Sequence, residues 1–322
     1  MKFTRLGWSD LRVSVLCLGG MSFGSTEWMV KGNEAEKIIK TAIDGGINFI
    51  DTANVYSTGE SEKIIGTTIK NLGIRDDLIL CSKVGGKFNE VHQGFSRSEI
   101  NYQLKGSLER LQTERLDIYT LHTWFDSLKT HSILRNLKQI VDDGKTSYIG
   151  VSNFLGYQLA EFYHAARETG TDTPVLVQNH YNAVYREDER EVIPYSSRKN
   201  IAYTPFSPLA AGFLTGKYRR GSTQDTARSR TYPAMKKRYF RSEDFDVLET
   251  VEEVARERGT KSSVISLAYV LAKGFIPVFG ATKVEHVLDA IQATEISLGE
   301  NDIKRIEEKY VPHPVSMGTA GY

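Results

Sequence analysis

The chain has 322 residues, 40% hydrophobic and 25% charged, with a formal net charge of +1 at pH 7. That balance suits a globular protein with a sizeable core and gives no global pull toward nucleic acid or an anionic membrane. No apolar run approaches the roughly 20 residues that cross a bilayer, and the opening "MKFTRLGWSD" lacks the apolar centre of a signal peptide, so a cytoplasmic protein is expected.

Residues 2–15, "KFTRLGWSDLRVSV", read as a small hairpin turning near Gly7 to Asp10 and placed to plug one end of a larger body. After it, short apolar runs alternate with longer stretches. The runs are "VSVLCLGG", "INFID", "LILCSKV", "LDIYTLH", "YIGVSN", "VLVQN", "IAYTPFSP" and "FIPVFG". Between them, "NEAEKIIKTAID", "SRSEINYQLKGSLERL" and "SILRNLKQIVDDG" have helical periodicity. The last two open on Ser96 and Ser132 as expected N-caps, and the third ends at Gly144. Asp51, Lys83, His122, Ser152, Gln178 and Ser207 mark successive strand ends 26 to 39 residues apart. Strand, helix, strand at that period predicts parallel βαβ units. Eight of them predict an α/β fold, a (β/α)8 TIM barrel, as one domain over residues 1–322. A doubly wound dinucleotide-binding sheet would show G-x-G-x-x-G after its first strand, where this chain has "GGMSFGS".

The interval from Ser207 to Gly280 is longer than the others. A long loop is therefore expected after the seventh barrel strand. Residues 216–241 hold nine Lys or Arg against one acid, Asp225, which reads as a flap that contacts phosphate. Cys17 and Cys81 lie in apolar runs and read as reduced core thiols. The seven histidines show no metal-ligand spacing, so no metal site is expected.

Side chains alternate faces along a strand. Ile47, Phe49 and Asp51 thus share a face, as do Ile79, Cys81 and Lys83, and Ile118, Thr120 and His122. If neighbouring strands are consecutive, Asp51, Lys83 and His122 converge on the rim where barrel enzymes place their chemistry, and Tyr56 follows in the loop above. Singly, each residue has a plainer role: helix cap, solvated ammonium, satisfied core imidazole, packing ring. Together they suit protonation of an oxygen that becomes negative. A phenol has a pKa near ~10, an adjacent ammonium favours the phenolate, and a carboxylate holds that ammonium charged. A neutral histidine can orient a carbonyl. The set is expected to serve carbonyl reduction, with Tyr56 as proton donor.

With these residues the chain resembles the aldo-keto reductases over nearly its whole length. "GINFIDTANVYSTGESEKIIG" resembles that family's Asp and Tyr segment, "LILCSKVGG" its Lys strand and "LDIYTLHTWFD" its His strand. "IGVSNF", "VQNHYN" and "TPFSPLAAGFLTGKY" are similar to its cofactor strands. "QNHYNAVYREDEREVIP" is closest to the bacterial and fungal branch that resembles aryl-alcohol dehydrogenases.

The resemblance implies that Tyr56 is the general acid, tuned by Lys83 and Asp51, and that His122 orients the carbonyl. Ser152, Asn153 and Gln178 would hold the nicotinamide carboxamide, and Phe206 would stack on its ring. Ser207, Leu209, Gly212 and Lys217 would line the pyrophosphate, with the backbone of Gly20 and Met21 nearby. Gly280, Thr282, Lys283 and His286, in "PVFGATKVEHVLDAI", fall where the family grips the adenosine 2′-phosphate. His286 stands where Arg or Gln is common, and Ala290 where Asn is common. Lys283 and the basic segment favour NADPH, with NAD possible. Trp124 and Phe23 are expected as walls of the substrate pocket, and the tail "VPHPVSMGTAGY" as its cover. A small carbonyl compound is the expected partner. Two other readings stay open: a Schiff-base lyase acting through Lys83, and a cofactor-binding regulatory subunit like the potassium-channel β subunits that resemble the family.

Overall fold

The computed structural model describes residues 1–125, 129–221, 226, 230 and 234–315. Two short strands, β1 (Phe3–Arg5) and β2 (Arg12–Ser14), pair antiparallel as the expected hairpin. Eight strands follow: β3 (Cys17–Gly19), β4 (Phe49–Asp51), β5 (Ile79–Val84), β6 (Leu116–Leu121), β7 (Thr146–Ser152), β8 (Leu176–Gln178), β9 (Ala202–Tyr203) and β10 (Val278–Gly280). They form one parallel sheet in the order β10-β3-β4-β5-β6-β7-β8-β9. The sheet closes on itself. Ile276 N–H donates to Tyr203 O (3.2 Å), Val278 N–H donates to Pro205 O (2.8 Å), and Phe206 bridges Val278 in parallel.

Residue parity decides what each strand buries. Cys17, Phe49, Cys81, Ile118, Leu176 and Val278 point inward and fill the lumen. Leu18, Ile50, Leu80, Val84, Tyr119 and Leu121 point outward and pack under the helices. Both faces are covered, so the central strands read as continuous apolar runs rather than alternating ones. The hairpin seals one end. Its Leu6 and Val13 are fully buried among the lumen residues, each contributing about 1.5–3 kcal/mol. The turn fits because Gly7 has φ +53 and no side chain, whereas a Cβ there would sit 2.5 Å from Val175 O.

Helices Gly32–Asp44, Glu60–Leu72, Arg97–Leu111, Thr130–Asp142 and Gly156–Thr169 connect the first six barrel strands. Ser96 caps the third of these by accepting from Glu99 N–H at 3.2 Å. Ser132 does not cap the fourth: that helix begins two residues earlier, at Thr130, after Lys129. The long connection after the seventh barrel strand, β9, is present, and much of it is helical. It contains a 3-10 stretch, Ala210–Thr215, and helices Ala234–Tyr239, Ser242–Glu257 and Ser262–Ala272. Of the basic segment 216–241, residues 222–225, 227–229 and 231–233 lie outside the described residues, as does 316–322 of the tail. Among the described residues no helix is long and apolar enough to cross a membrane, and no group of three His, Cys, Asp or Glu could hold a metal. Cys17 and Cys81 are free and buried.

Candidate active site

The register of β3 to β7 sets the site. Asp51 pairs with Cys81, and Lys83 with Thr120, so the ends of β4 and β5 stand side by side. Lys83 Nζ lies 2.5 Å from Asp51 Oδ2, and the two side chains are 0% and 2% exposed. The same ammonium donates to Thr52 O (2.7 Å) and to the Tyr56 hydroxyl (3.4 Å). Asp51 Oδ1 accepts from Gln178 Nε2 across the lumen at 3.0 Å. A buried charge pair is tolerable only when its remaining valences are met, and here each is.

Burial disfavours the Lys83 ammonium, but Asp51, then Tyr56 and Cys81, outweigh it and hold its pKa above an ordinary lysine's. Tyr56 goes the opposite way from the sequence expectation. Burial pushes its phenol up, Lys83 pulls it down, and burial prevails, with Asp51 adding to the rise. The phenol therefore keeps its proton through the neutral range.

Tyr56 opens a strained turn: Ser57 and Thr58 have φ of 48° and 55°, in the left-handed region. Its ring lies edge-on to His122, with centroids 5.7 Å apart and planes at 79°. Burial, with the Lys83 charge, lowers the His122 pKa to about 3, so the imidazole is neutral. His122 Nδ1 is buried and has no partner among the described residues.

Next along the rim, Ser152 Oγ donates to Gln178 O (2.7 Å), and Asn153 Nδ2 donates to His122 O (2.9 Å) and Ser152 Oγ (3.1 Å). Asn153 has φ 57°, which asparagine tolerates better than most residues. Phe206 follows, half-buried, between bridges to His180 and Val278. Ser207, Ala210, Ala211 and Gly212 all have positive φ, from 49° to 93°. Clustered positive φ of this kind is often found at ligand-binding turns. Lys217 comes close above Gly212, where an added Cβ would meet its Nζ at 2.8 Å. Leu209 is half-buried beside this turn.

At the start of helix Val284–Ala293, His286 Nδ1 accepts from Thr282 N–H at 3.2 Å, which fixes the Nε2–H tautomer when the ring is neutral. Burial lowers the pKa of His286, Asp289 opposes this, and the Lys283 and Lys217 ammoniums lower it further. Both cations thus act on one imidazole, although they lie 66 residues apart in sequence. Gly280 and Met21 are exposed at the rim. Gly20 is buried. A Cβ there would meet Ser61 Oγ at 2.7 Å, so packing against helix Glu60–Leu72 requires glycine.

Two further expectations differ from the structure. Phe23 is fully buried beneath the rim with Ile38, Ile39 and Ile65, so it presents no surface to a pocket. The basic segment is not uniformly free for phosphate. Arg219 pairs with Glu252 (2.6 Å) and Arg220 with Asp246 (2.6 Å) on helix Ser242–Glu257. Trp124 is half-buried and stacks on Phe125, with centroids 4.7 Å apart, at the edge of the mouth. Sequence reasoning missed Phe95, whose ring lies over Gly85 just beyond Lys83 and 5.3 Å from Phe125. It also missed His180, although His180 sits two residues from Gln178, the alternation used for the other strands.

The donor set fits a nicotinamide dinucleotide. Amides and a hydroxyl stand at 152, 153 and 178, an aromatic face at 206, and cations at 217 and 283.

Comparison with known proteins agrees with this geometry. Residues 15–311 match the model of the aldo/keto reductase family. A Schizosaccharomyces pombe protein provisionally named an aryl-alcohol dehydrogenase is 34% identical over 96% of each chain. The oxidoreductase YrpG of Bacillus subtilis is 33% identical over 98% of this chain and 97% of its own. The structure of a glycerol dehydrogenase from Gluconobacter oxydans superposes with a TM-score of 0.81 at 26% identity, covering 98% of this chain and 97% of that one. The chain belongs to the aldo/keto reductase family and is an NAD(P)-dependent oxidoreductase acting between carbonyl and alcohol groups.

Proposed function

We propose that this enzyme reduces aldehydes or ketones with NADPH, that Tyr56 donates the proton, and that the chain works as a single cytoplasmic domain. One observation carries the reading: a protonated phenol 3.4 Å from an ammonium that Asp51 holds at 2.5 Å. The bound nicotinamide supplies the hydride. The protein supplies position and charge. Neutral His122 and the Tyr56 hydroxyl would both hydrogen-bond the substrate's carbonyl oxygen, and Tyr56 would give up its proton as that oxygen gains charge. The Lys83 ammonium then stabilises the phenolate across the same hydrogen bond. Asp51 keeps Lys83 charged and in place. Ser152, Asn153 and Gln178 are assigned to the carboxamide, and Lys217 and Lys283 to phosphates.

The lyase reading loses support from the same geometry. A nucleophilic amine needs a free lone pair, and Lys83 donates to Asp51, Thr52 and Tyr56 with its pKa raised.

The test is turnover of aromatic and aliphatic aldehydes followed by reduced-nicotinamide absorbance. Tyr56→Phe is expected to lose roughly 100-fold or more in kcat while binding NADPH as before. Full turnover in Tyr56→Phe would overturn the acid assignment.

A further inference from the structure

We propose that His180 is a positioning residue for the nicotinamide half of the cofactor, acting as the rigid backing of Phe206. The proposal rests on the assignment of Phe206 to the nicotinamide face. His180 is fully buried and takes no part in the proton-transfer group. Its ring is nearly parallel to Phe206 (centroids 5.5 Å apart, planes at 11°) and to Tyr185 (4.0 Å, 18°). The three rings form a column that ends at the half-exposed Phe206.

The column is held at several points. The His180 and Phe206 backbones form a parallel bridge, with Phe206 N–H donating to Asn179 O at 2.9 Å. The Tyr239 hydroxyl lies 2.5 Å from His180 Nε2, and Asn182 Nδ2 lies 3.3 Å from the same nitrogen. Asn182 Nδ2 also donates to Ser207 O at 3.0 Å, so one amide spans the imidazole and the residue after Phe206. Burial, with the charges of Arg238 and His313, keeps His180 well below an ordinary histidine's pKa. A neutral ring can stack on Phe206 without placing a buried charge behind a site that must accept a nicotinamide cation after hydride transfer. Preorganising an aromatic platform raises affinity by removing the cost of ordering it on binding.

The column predicts a split between the two halves of the cofactor. The experiment measures binding of NADPH, nicotinamide mononucleotide and 2′,5′-ADP to the full-length enzyme by calorimetry, with NADPH fluorescence as a second readout. His180→Ala removes the backing ring. It is expected to weaken NADPH and nicotinamide mononucleotide roughly three- to tenfold and to leave 2′,5′-ADP within twofold. His180→Phe combined with Tyr239→Phe restores an aromatic backing without leaving a buried hydroxyl unpaired, and should return nicotinamide mononucleotide binding to near the wild-type value. Equal weakening of both fragments in His180→Ala would mean general distortion and would overturn the proposal, as would no weakening of either. Failure of the Phe pair to recover binding would also overturn it. A wild-type chain that binds 2′,5′-ADP but no nicotinamide fragment would instead sink the assignment of Phe206.

Discussion

Asp51 and Lys83, 32 positions apart in sequence, form a charge pair 2.5 Å long with almost no exposure to solvent. Parallel pairing of β4 and β5 places the two side chains on adjoining inward positions. Asp51→Asn should leave an ammonium buried without a counter-charge. We expect a loss of roughly 3–5 kcal/mol in urea unfolding, together with loss of turnover. Asp51→Asn combined with Lys83→Met should regain most of the stability and none of the activity. A single variant as stable as wild type would show that the pair does not govern this end of the barrel.

Because burial raises the Tyr56 phenol despite Lys83, carbonyl reduction should stay level from about pH 6 to 9, with the proton always available. Alcohol oxidation needs the same oxygen as a base and should climb with pH over that range. Rate profiles in both directions are the check. A reduction rate that falls between pH 7 and 8 through Tyr56 would contradict the raised phenol.

His122 holds a pKa near 3 in the folded chain, against about 6.5 unfolded. Between those values the unfolded chain binds the extra proton, so stability rises with pH and falls as the solution is acidified below about 6.5. The slope is at most about 1.4 kcal/mol per pH unit from this group. His180 is lowered too and adds to it. Urea midpoints from pH 7 to 4 should show His122→Gln less acid-sensitive than wild type. An unchanged slope would remove His122 from the account.

Lys283 and Lys217 act on the same imidazole, His286. If Lys283 meets the 2′-phosphate, Lys283→Ala should raise the Kd for NADPH about tenfold and that for NADH little, and the NADPH effect should shrink in high salt. Equal effects on the two cofactors would leave the preference unexplained by this lysine.

Gly85 has φ +109, and an added Cβ would fall 1.9 Å from the Phe95 ring. Gly85→Ala must strain the backbone and displace Phe95 from its place over Gly85, at a cost of about 1–3 kcal/mol. The KM for carbonyl substrates should rise more than kcat falls. A variant with unchanged stability would show that Phe95 moves aside freely.

Much of this site could be read from the sequence, because period-two alternation and parallel pairing are local rules. They placed Asp51, Lys83 and His122 on one rim, and the lumen position of Cys81 followed from the same parity. The misreadings came where those rules stop. Phe23 lies in a loop, where no period says which way a side chain points, and the fold turned it under the rim. Ser132 has good capping chemistry, but helix Thr130–Asp142 buries Thr130, Ile133, Leu134 and Leu137, and that packing carries the helix past the serine. The direction of the Tyr56 shift depends on how much protein surrounds the phenol, a three-dimensional quantity that charge order cannot give. His180 is not legible in the sequence, because metal-ligand spacing says nothing of a stacked imidazole and its partners Tyr185, Phe206 and Tyr239 come from three separate segments.

The hairpin has a consequence for proton traffic. With Leu6 and Val13 driven into the lumen beside Cys17 and Val278, the barrel is a cul-de-sac with an apolar floor. Among the described residues, Phe49 and Ile118 are fully buried in the lumen with this apolar floor, below the Asp51–Lys83 pair. If Tyr56 spends its proton there, the apolar floor favours replacing it from the mouth, through the opening that admits the substrate. Refilling and product departure therefore share one doorway.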